Sequence, residues 1–172
     1  MASTLLAKLL ILTILVTISR ANEELMMQQC HNSKDTTICL RCLSSNPASP
    51  QADQVGIARI ILRCVNSHLI SLANITSGLT TEHHWTPEGA AALKQCGLGY
   101  KMAKRGLGRA DAYLIVGDYD KAADDVRATE SPLVSCRNSL VTVVFNLSFY
   151  FSYHTKVSLA LTQSLLRIID RF

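Results

Sequence analysis

Apolar side chains recur at alternating spacings of three and four residues over two neighbouring stretches in the middle of the chain. This spacing places side chains on one face of a helix and predicts two amphipathic α-helices. Gly117-Asp118 lies between them, and a glycine stop followed by an aspartate N-cap predicts an antiparallel pair. The first stripe consists of Leu93, Cys96, Tyr100, Ala103, Leu107, Ala110 and Leu114. The second consists of Tyr119, Ala122, Val126, Thr129, Leu133, Cys136 and Leu140.

Each stripe carries one cysteine, so Cys96 and Cys136 are expected to point toward the facing helix. A disulfide between them would close a loop of about 40 residues and stabilise the pair by roughly 4 kcal/mol in the chain-entropy model. The first helix also contains four glycines, at positions 97, 99, 106 and 108, which each cost roughly 1 kcal/mol in a helix interior. Something other than helix propensity must therefore hold it. Pro132 is expected to kink the second helix just before Cys136.

The remaining patterns predict further helices. Residues 23–30 and 36–45 are two short helical pieces around a polar turn, and a proline-containing stretch, residues 46–50, ends the second. A long helix covers residues 52–79 and ends near Gly78, and Thr86-Pro87 caps the start of the next helix. The last helix covers residues 155–171. Residues 141–153 are rich in β-branched and aromatic side chains, so we expect them to be irregular or partly helical, serving either core packing or a partner surface.

The first 21 residues have the pattern of a secretory leader, with Lys8 before a short apolar run and small residues around a cleavage position after Ala21. The run is too short to span a bilayer, and no later stretch reaches spanning length without charge. We therefore expect one secreted, extracellular domain, residues 22–172, without membrane attachment. Loss of Lys8 and Arg20 takes 17 basic residues to 15 against 13 acidic, so the charge falls from +4 to +2. That is too weak and too scattered to favour nucleic-acid binding.

Export makes the cysteines candidates for disulfides, because the secretory route is oxidising. Six cysteines allow 15 complete pairings, and their spacing alone does not select one. Cys30 and Cys39 would close the N-terminal hairpin, while Cys42 and Cys64 would form a third bond or remain free thiols. Asn74 and Asn146 begin two glycosylation sequons. The cysteines are Cys30, Cys39, Cys42, Cys64, Cys96 and Cys136.

The chain lacks the usual catalytic and metal-binding patterns. Cys39 and Cys42 have redox spacing, but the βαβ setting of a thioredoxin-type site is absent, which favours a structural role. No nucleophile motif or phosphate loop occurs, and the adjacent Asp124 and Asp125 point to different sides of a helix. The histidines supply no zinc-ligand spacing. They are His31, His68, His83, His84 and His154. We therefore expect a binding module with no cofactor, no metal and no catalytic residue.

An ordered set of short motifs resembles the plant invertase and pectin methylesterase inhibitor family over nearly the whole expected mature chain. The set begins with Cys30 and Cys39 in a hairpin, followed by Leu43-Ser44-Ser45-Asn46-Pro47, which is similar to the family's Leu-x-Ser-Asp-Pro. The later matching elements are Ala52-Asp53, Gly56-Ile57-Ala58, Ala92-Leu93-Lys94-Gln95-Cys96, Tyr100, Gly117-Asp118-Tyr119 and Cys136. The resemblance implies an all-α fold, an antiparallel four-helix bundle with an N-terminal helical hairpin. It also implies the pairs Cys30–Cys39 and Cys96–Cys136.

Several positions depart from the family pattern. Arg137 and Leu140 stand where an acidic and an aromatic residue are usual, and Asn46 stands where aspartate is usual. The apolar residues 141–153 replace a polar segment, and Cys42 and Cys64 lie outside the four-cysteine pattern.

By resemblance, the function is to form a stoichiometric complex with a cell-wall carbohydrate-active enzyme and to block its active-site cleft. The invertase inhibitors are similar to one another in a Pro-Lys-Phe insert after Gly-Asp, where this chain has Tyr119-Asp120-Lys121. That difference favours pectin methylesterase as the partner in the cell wall, or apoplast. An acid invertase partner and a non-inhibitory secreted interaction module are the alternatives. Tyr119, Asp120 and Lys121 are the expected partner-binding residues, although the position of Tyr119 at the start of the seam favours a core role for that residue.

Overall fold

The computed structural model describes residues 23–31, 33–82, 85–143 and 149–172, together with Lys8. Apart from Lys8, the expected leader lies outside these described residues. Every regular element in them is helical, and Ser49–Gln51 forms one 3-10 turn. The helices are α1 (residues 23–31), α2 (Thr36–Ser44), α3 (Gln54–Glu82), α4 (Pro87–Val116), α5 (Tyr119–Arg127), α6 (Glu130–Val143) and α7 (Phe149–Ile169).

Four long helical units form the core of an antiparallel bundle. The central pair consists of α3, which packs on both α4 and α7, and α4, which packs on α5 and α6. α5 and α6 follow each other as one unit, and α7 closes the bundle. The hairpin of α1 and α2 extends from it, with α2 resting on α3 and α7. This architecture confirms the predicted all-α four-helix bundle with an N-terminal hairpin.

The two apolar stripes form the seam between α4 and the α5–α6 unit. All seven residues of the first stripe are at most 2% exposed, and the second stripe is buried except for Tyr119. Cys96 and Cys136 are bonded across the seam, with their Cα atoms 4.9 Å apart. The hydroxyl oxygen of Tyr100 lies 2.8 Å from Cys136 Sγ. Burial raises the pKa of that hydroxyl, which therefore stays protonated in the core.

Two of the four α4 glycines allow this close packing. A Cβ atom at Gly99 would lie 3.0 Å from Pro132 Cβ, and one at Gly106 would lie 3.3 Å from the Asp125 carbonyl oxygen. Positions 97 and 108 face open space. The glycines that weaken α4 as an isolated helix thus also bring its backbone against the neighbouring unit, so dispersion contacts compensate for low helix propensity.

The second stripe does not form one kinked helix, so the prediction for Pro132 is wrong. The chain breaks earlier, at Ala128 and Thr129, where the Thr129 hydroxyl donates to the Val126 carbonyl at 2.6 Å. Pro132 then lies in the first turn of α6. Proline is well tolerated there because its missing N–H would have had no partner inside the helix.

Helix ends also differ from the sequence expectation. α3 begins at Gln54, because the Asp53 side chain accepts from the Gly56 N–H at 2.7 Å, and it continues through Gly78 to Glu82. α7 begins at Phe149 rather than at position 155. Phe151 is 1% exposed, so packing overrides the local strand propensity of this segment. Residues 141–143 belong to α6, while residues 144–148 lie outside the described part.

The N-terminal hairpin is tied to the bundle at several points. Cys30 is bonded to Cys39 within the hairpin, and Cys42 of α2 is bonded to Cys64 of α3, with Cα atoms 6.2 Å apart. The Arg171 guanidinium donates to both the carbonyl and the side-chain oxygen of Gln29. These contacts fix the hairpin to α3 and to the end of α7.

α3 also has the length and apolarity of a membrane-spanning helix, with a mean hydropathy of 1.4 over its most apolar stretch. Its central position explains this composition. Its buried face includes Ile57, Ile61, Val65, Leu69 and Leu72, and it packs on two long helices at once. Apolar side chains are therefore needed around much of its circumference.

The glycine contacts generate a paired stability prediction. Gly97→Ala should stabilise the protein by about 1 kcal/mol, because the new methyl group faces open space and alanine favours helix. Gly99→Ala should be less stable than Gly97→Ala, since overpacking against the rigid Pro132 ring costs about 1–3 kcal/mol. Urea unfolding of the two variants, with disulfides intact, measures the difference. Equal stabilisation by both changes would contradict the close approach at Gly99.

Candidate partner-binding surface

The turn between α4 and α5 is a compact, well-defined corner at one end of the bundle. Gly117 has φ of 78°, the left-handed conformation that glycine adopts at little cost. The N–H groups of Gly117 and Asp118 both donate to the Tyr113 carbonyl, which closes the end of α4. α5 begins at Tyr119, so only Gly117 and Asp118 separate the two helices.

A short polar network organises the first turn of α5. The Asp118 carboxylate accepts from the Lys121 backbone N–H at 3.4 Å, as an N-cap does, and from Lys121 Nζ at 2.6 Å. The hydrogen bond from the Lys121 side chain lowers the pKa of Asp118 and, reciprocally, raises the pKa of Lys121. Lys121 Nζ also lies 5.6 Å from the centroid of the Tyr113 ring. The ammonium group is thus held over the turn, yet remains exposed.

The three sequence-predicted contact residues have different environments. Asp120 and Lys121 are exposed, whereas Tyr119 is half-buried with its ring centroid 4.7 Å from that of Phe172. Tyr119 therefore holds the chain end against α5, while Asp120 and Lys121 are exposed to solvent. We name Ile115, Val116, Asp118, Asp120 and Lys121 together the Gly117 turn surface.

Two apolar side chains widen this surface. Ile115 and Val116, in the last turn of α4, are 60% and 74% exposed. Shallow depressions flank them, one toward the start of α3 and the other toward the end of α7. Sequence reasoning missed Ile115 and Val116. Their position off the Leu114 stripe, directly before a glycine stop, was the available signal. Exposed apolar residues beside charges are typical of an interaction site.

Ion pairs outside the turn orient the helices. Arg59 of α3 donates twice to Asp111 of α4, at 2.7 and 3.1 Å, and the hydrogen bond lowers the pKa of Asp111. Arg109 makes a bidentate pair with Asp125, whereas Asp124 bonds Arg127. The adjacent aspartates Asp124 and Asp125 therefore serve different partners and do not converge on a substrate.

The described residues hold no assembled catalytic or metal centre. Cys39 and Cys42 are bonded to different cysteines, so they form no redox pair. No group of three or more His, Cys, Asp or Glu side chains within the described ranges is placed to bind a metal. His83 and His84 lie outside those ranges. Asn74 is exposed on α3, while Asn146 of the second sequon also lies outside them.

One histidine pair was not expected from the sequence. His68 of α3 and His154 of α7 bring their Nδ1 atoms within 2.7 Å, beside the Tyr153 ring. Burial is the main cause that lowers the pKa of His68 to about 4, and the charge of His154 is the smaller cause. Burial also lowers the pKa of His154. The pair needs one donating and one accepting Nδ1, so it bonds only while at least one ring is neutral. The residues are 86 positions apart, so only tertiary structure reveals them.

The geometry defines a class: a disulfide-bonded helical bundle with an exposed turn surface and no catalytic centre in the part described. Residues 24–162 match the plant invertase/pectin methylesterase inhibitor family, and the chain belongs to that family. Its members are inhibitors rather than enzymes. The match confirms the resemblance found in the sequence.

Similar proteins agree with this assignment. A pectinesterase inhibitor from Actinidia deliciosa is 25% identical over 101 residues, which cover 59% of this chain and 54% of the relative. The matched region thus spans about half the length of that curated relative.

Two solved structures share the fold. A mutant form of a pectin methylesterase inhibitor from Arabidopsis has a TM-score of 0.71 at 18% identity, covering 82% of this chain and 92% of that one. A pectin methylesterase inhibitor from Arabidopsis thaliana has a TM-score of 0.64 at 18% identity, covering 86% and 95% respectively.

The histidine pair generates a pH prediction. The folded-state pKa of His68 lies below the usual value near 6.5, so the unfolded chain binds the proton more readily. The stabilisation by neutral His68 is therefore complete above about pH 6.5 and lost as the pH falls toward about 4. His68→Gln should flatten this part of the stability profile, measured by urea unfolding across the window. His31→Gln, at an exposed position, is the control and should retain the native slope. An unchanged slope in His68→Gln would show that other groups cause the acid loss.

Proposed function

We propose that this chain is an exported inhibitor of a pectin methylesterase in the plant cell wall. The mature domain, residues 22–172, binds the enzyme in a one-to-one complex through the Gly117 turn surface and obstructs its active-site cleft. The observation that supports this proposal is the Gly117 turn itself, where α5 begins at Tyr119 with no insert after Gly117-Asp118. Within the family resemblance, this Gly-Asp-Tyr form favours pectin methylesterase over invertase.

The chemistry of the turn suits a protein partner. Ile115 and Val116 offer apolar area that loses its water on association, at about 25 cal/mol per Å². Asp118, Asp120 and Lys121 surround that area with charges, which steer encounter and fix register. The glycine cap and the N-cap hold this surface in one conformation, so little conformational entropy remains to be lost on binding.

Export is part of the proposal. Three disulfides join all six cysteines, and such bonds persist in oxidising compartments. The leader-like first 21 residues are consistent with that route.

A parallel titration tests the function. The purified mature protein is added to a pectin methylesterase and to an acid invertase, and the residual activity of each enzyme is measured. We expect esterase activity to fall to an end point at one inhibitor per enzyme, while invertase activity is unchanged. Inhibition of invertase alone would reverse the target assignment. Inhibition of neither enzyme would favour a non-inhibitory interaction module.

A turn replacement tests the site. Exchanging Tyr119-Asp120-Lys121 for Pro-Lys-Phe should leave the bundle folded, because proline is tolerated at the first position of α5. Loss of the Tyr119–Phe172 contact should cost about 1 kcal/mol in unfolding free energy. Inhibition should shift from pectin methylesterase toward invertase. Tyr119→Pro alone is the control, since it removes the aromatic ring but keeps the charges of Asp120 and Lys121. A folded replacement with unchanged inhibition of both enzymes would exclude the turn as the determinant of target choice.

A further inference from the structure

A second surface lies on another side of the molecule, in the groove between α6 and α7. The groove has a volume of about 630 Å³, within the usual range for small-ligand sites. One face of α6 and one face of α7 form its walls, and the hairpin turn closes it. Val134, Val141 and Leu159 contribute apolar area, above the buried Phe151.

Three cations border this groove. Arg137 projects from α6, Lys156 from the facing wall of α7, and Lys34 from the hairpin turn, and all three are exposed. None of them forms an ion pair with another described residue. Among the residues that the structure describes, Arg137 donates only to its neighbour Asn138, through two long contacts of 3.3 Å. Its guanidinium group can therefore exchange these contacts for a better acceptor. A carboxylate is such an acceptor, because its two oxygens can bind the guanidinium in a bidentate pair.

Two acidic residues, Asp35 and Glu130, also line the groove, so three cations stand against two carboxylates. Asp35 caps α2, where its Oδ1 accepts from the Ile38 N–H at 3.1 Å. Glu130 lies in the first turn of α6, seven residues before Arg137, which is about 10 Å along the helix. Its Oε1 is enclosed and has no hydrogen-bond partner in the described part of the chain. The lining therefore keeps an excess of one positive charge, with Arg137 and Lys156 on opposite walls.

We propose that this groove binds a de-esterified oligogalacturonate, a chain of sugar rings that each carry a carboxylate. Carboxylates meet Arg137 and Lys156, with Lys34 adding long-range attraction, and the apolar faces of the sugar rings lie on Val134, Val141 and Leu159. The choice of an oligogalacturonate as the ligand rests on the proposed function, because hydrolysis of pectin methyl esters leaves carboxylates on the sugar chain. The inhibitor would then be concentrated where its target enzyme has already acted.

Calorimetric titration of the mature, disulfide-intact protein tests the site with two oligomers of equal length. The probe is a fully de-esterified oligogalacturonate, and its fully methyl-esterified form is the uncharged control. We expect binding of the charged oligomer only, weakening as salt is added. Equal binding of the two oligomers, or no binding of either, would overturn the proposal.

Matched charge variants locate the site. Arg137→Glu/Lys156→Glu should weaken binding at least about a hundredfold, since two charge-assisted contacts are replaced by repulsion. Arg137→Gln/Lys156→Gln removes the charges without repulsion and should also lose most of the affinity. Lys94→Glu/Lys101→Glu changes the net charge equally on exposed positions of α4, which does not line the groove, and should bind nearly as the native protein does. If the α4 variant lost as much affinity for the oligogalacturonate as the groove variants do, overall charge would explain the loss. That result would overturn the proposed site.

Complex formation with pectin methylesterase, measured by sedimentation without pectin present, separates this inference from the proposed function. The groove variants should still bind the enzyme. A native chain that binds the oligogalacturonate but not the enzyme would support the groove and refute only the inhibitor assignment. Groove variants that lose the enzyme while retaining the oligomer would assign the groove to a protein interface and overturn the proposal.

Discussion

The rest of the structure depends on the close approach of α4 to the α5–α6 unit. The Cys96–Cys136 bond needs its Cα atoms within a few ångströms, and Gly99 and Gly106 provide the space for it. Larger side chains there would separate the helices, and the buried stripes on both sides would lose contact. This distance permits the tight Gly117 corner, because the ends of two closely packed antiparallel helices lie near enough for two residues to connect them. The short form of the candidate surface is therefore compatible with the core packing and is set by the turn residues themselves.

The sequence predicted much of this fold, because helical periodicity is a local signal. The α4 stripe is buried at every predicted position, and the α5–α6 stripe fails only at Tyr119. The errors arose where a local rule competed with tertiary contacts. Pro132 was expected to kink a helix and instead lies in the first turn of α6, where its missing N–H would have had no partner inside the helix. The start of α7 was missed because burial of Phe151 outweighs the strand propensity of its neighbours.

The candidate site was less predictable. The turn residues Asp118 and Tyr119 follow from the glycine stop and the family resemblance, but the position of Tyr119 against Phe172 depends on how the chain end returns to α5. The His68–His154 contact joins residues 86 positions apart, on α3 and α7, and the groove of Arg137 and Lys156 joins the consecutive helices α6 and α7. No periodicity argument within one helix identifies which exposed residues of two helices will face the same space.

Each of the three disulfides spans a connection between helices. Cys30–Cys39 bridges the polar turn after α1, Cys42–Cys64 bridges the proline-containing stretch before α3, and Cys96–Cys136 bridges the Gly117 corner. A peptidase that cut any one of these connections would leave the two fragments covalently joined. The buried contacts on either side of the cut would also remain, because the fragments could not diffuse apart. The bonding pattern thus gives the protein a tolerance to backbone cleavage that is separate from its resistance to unfolding.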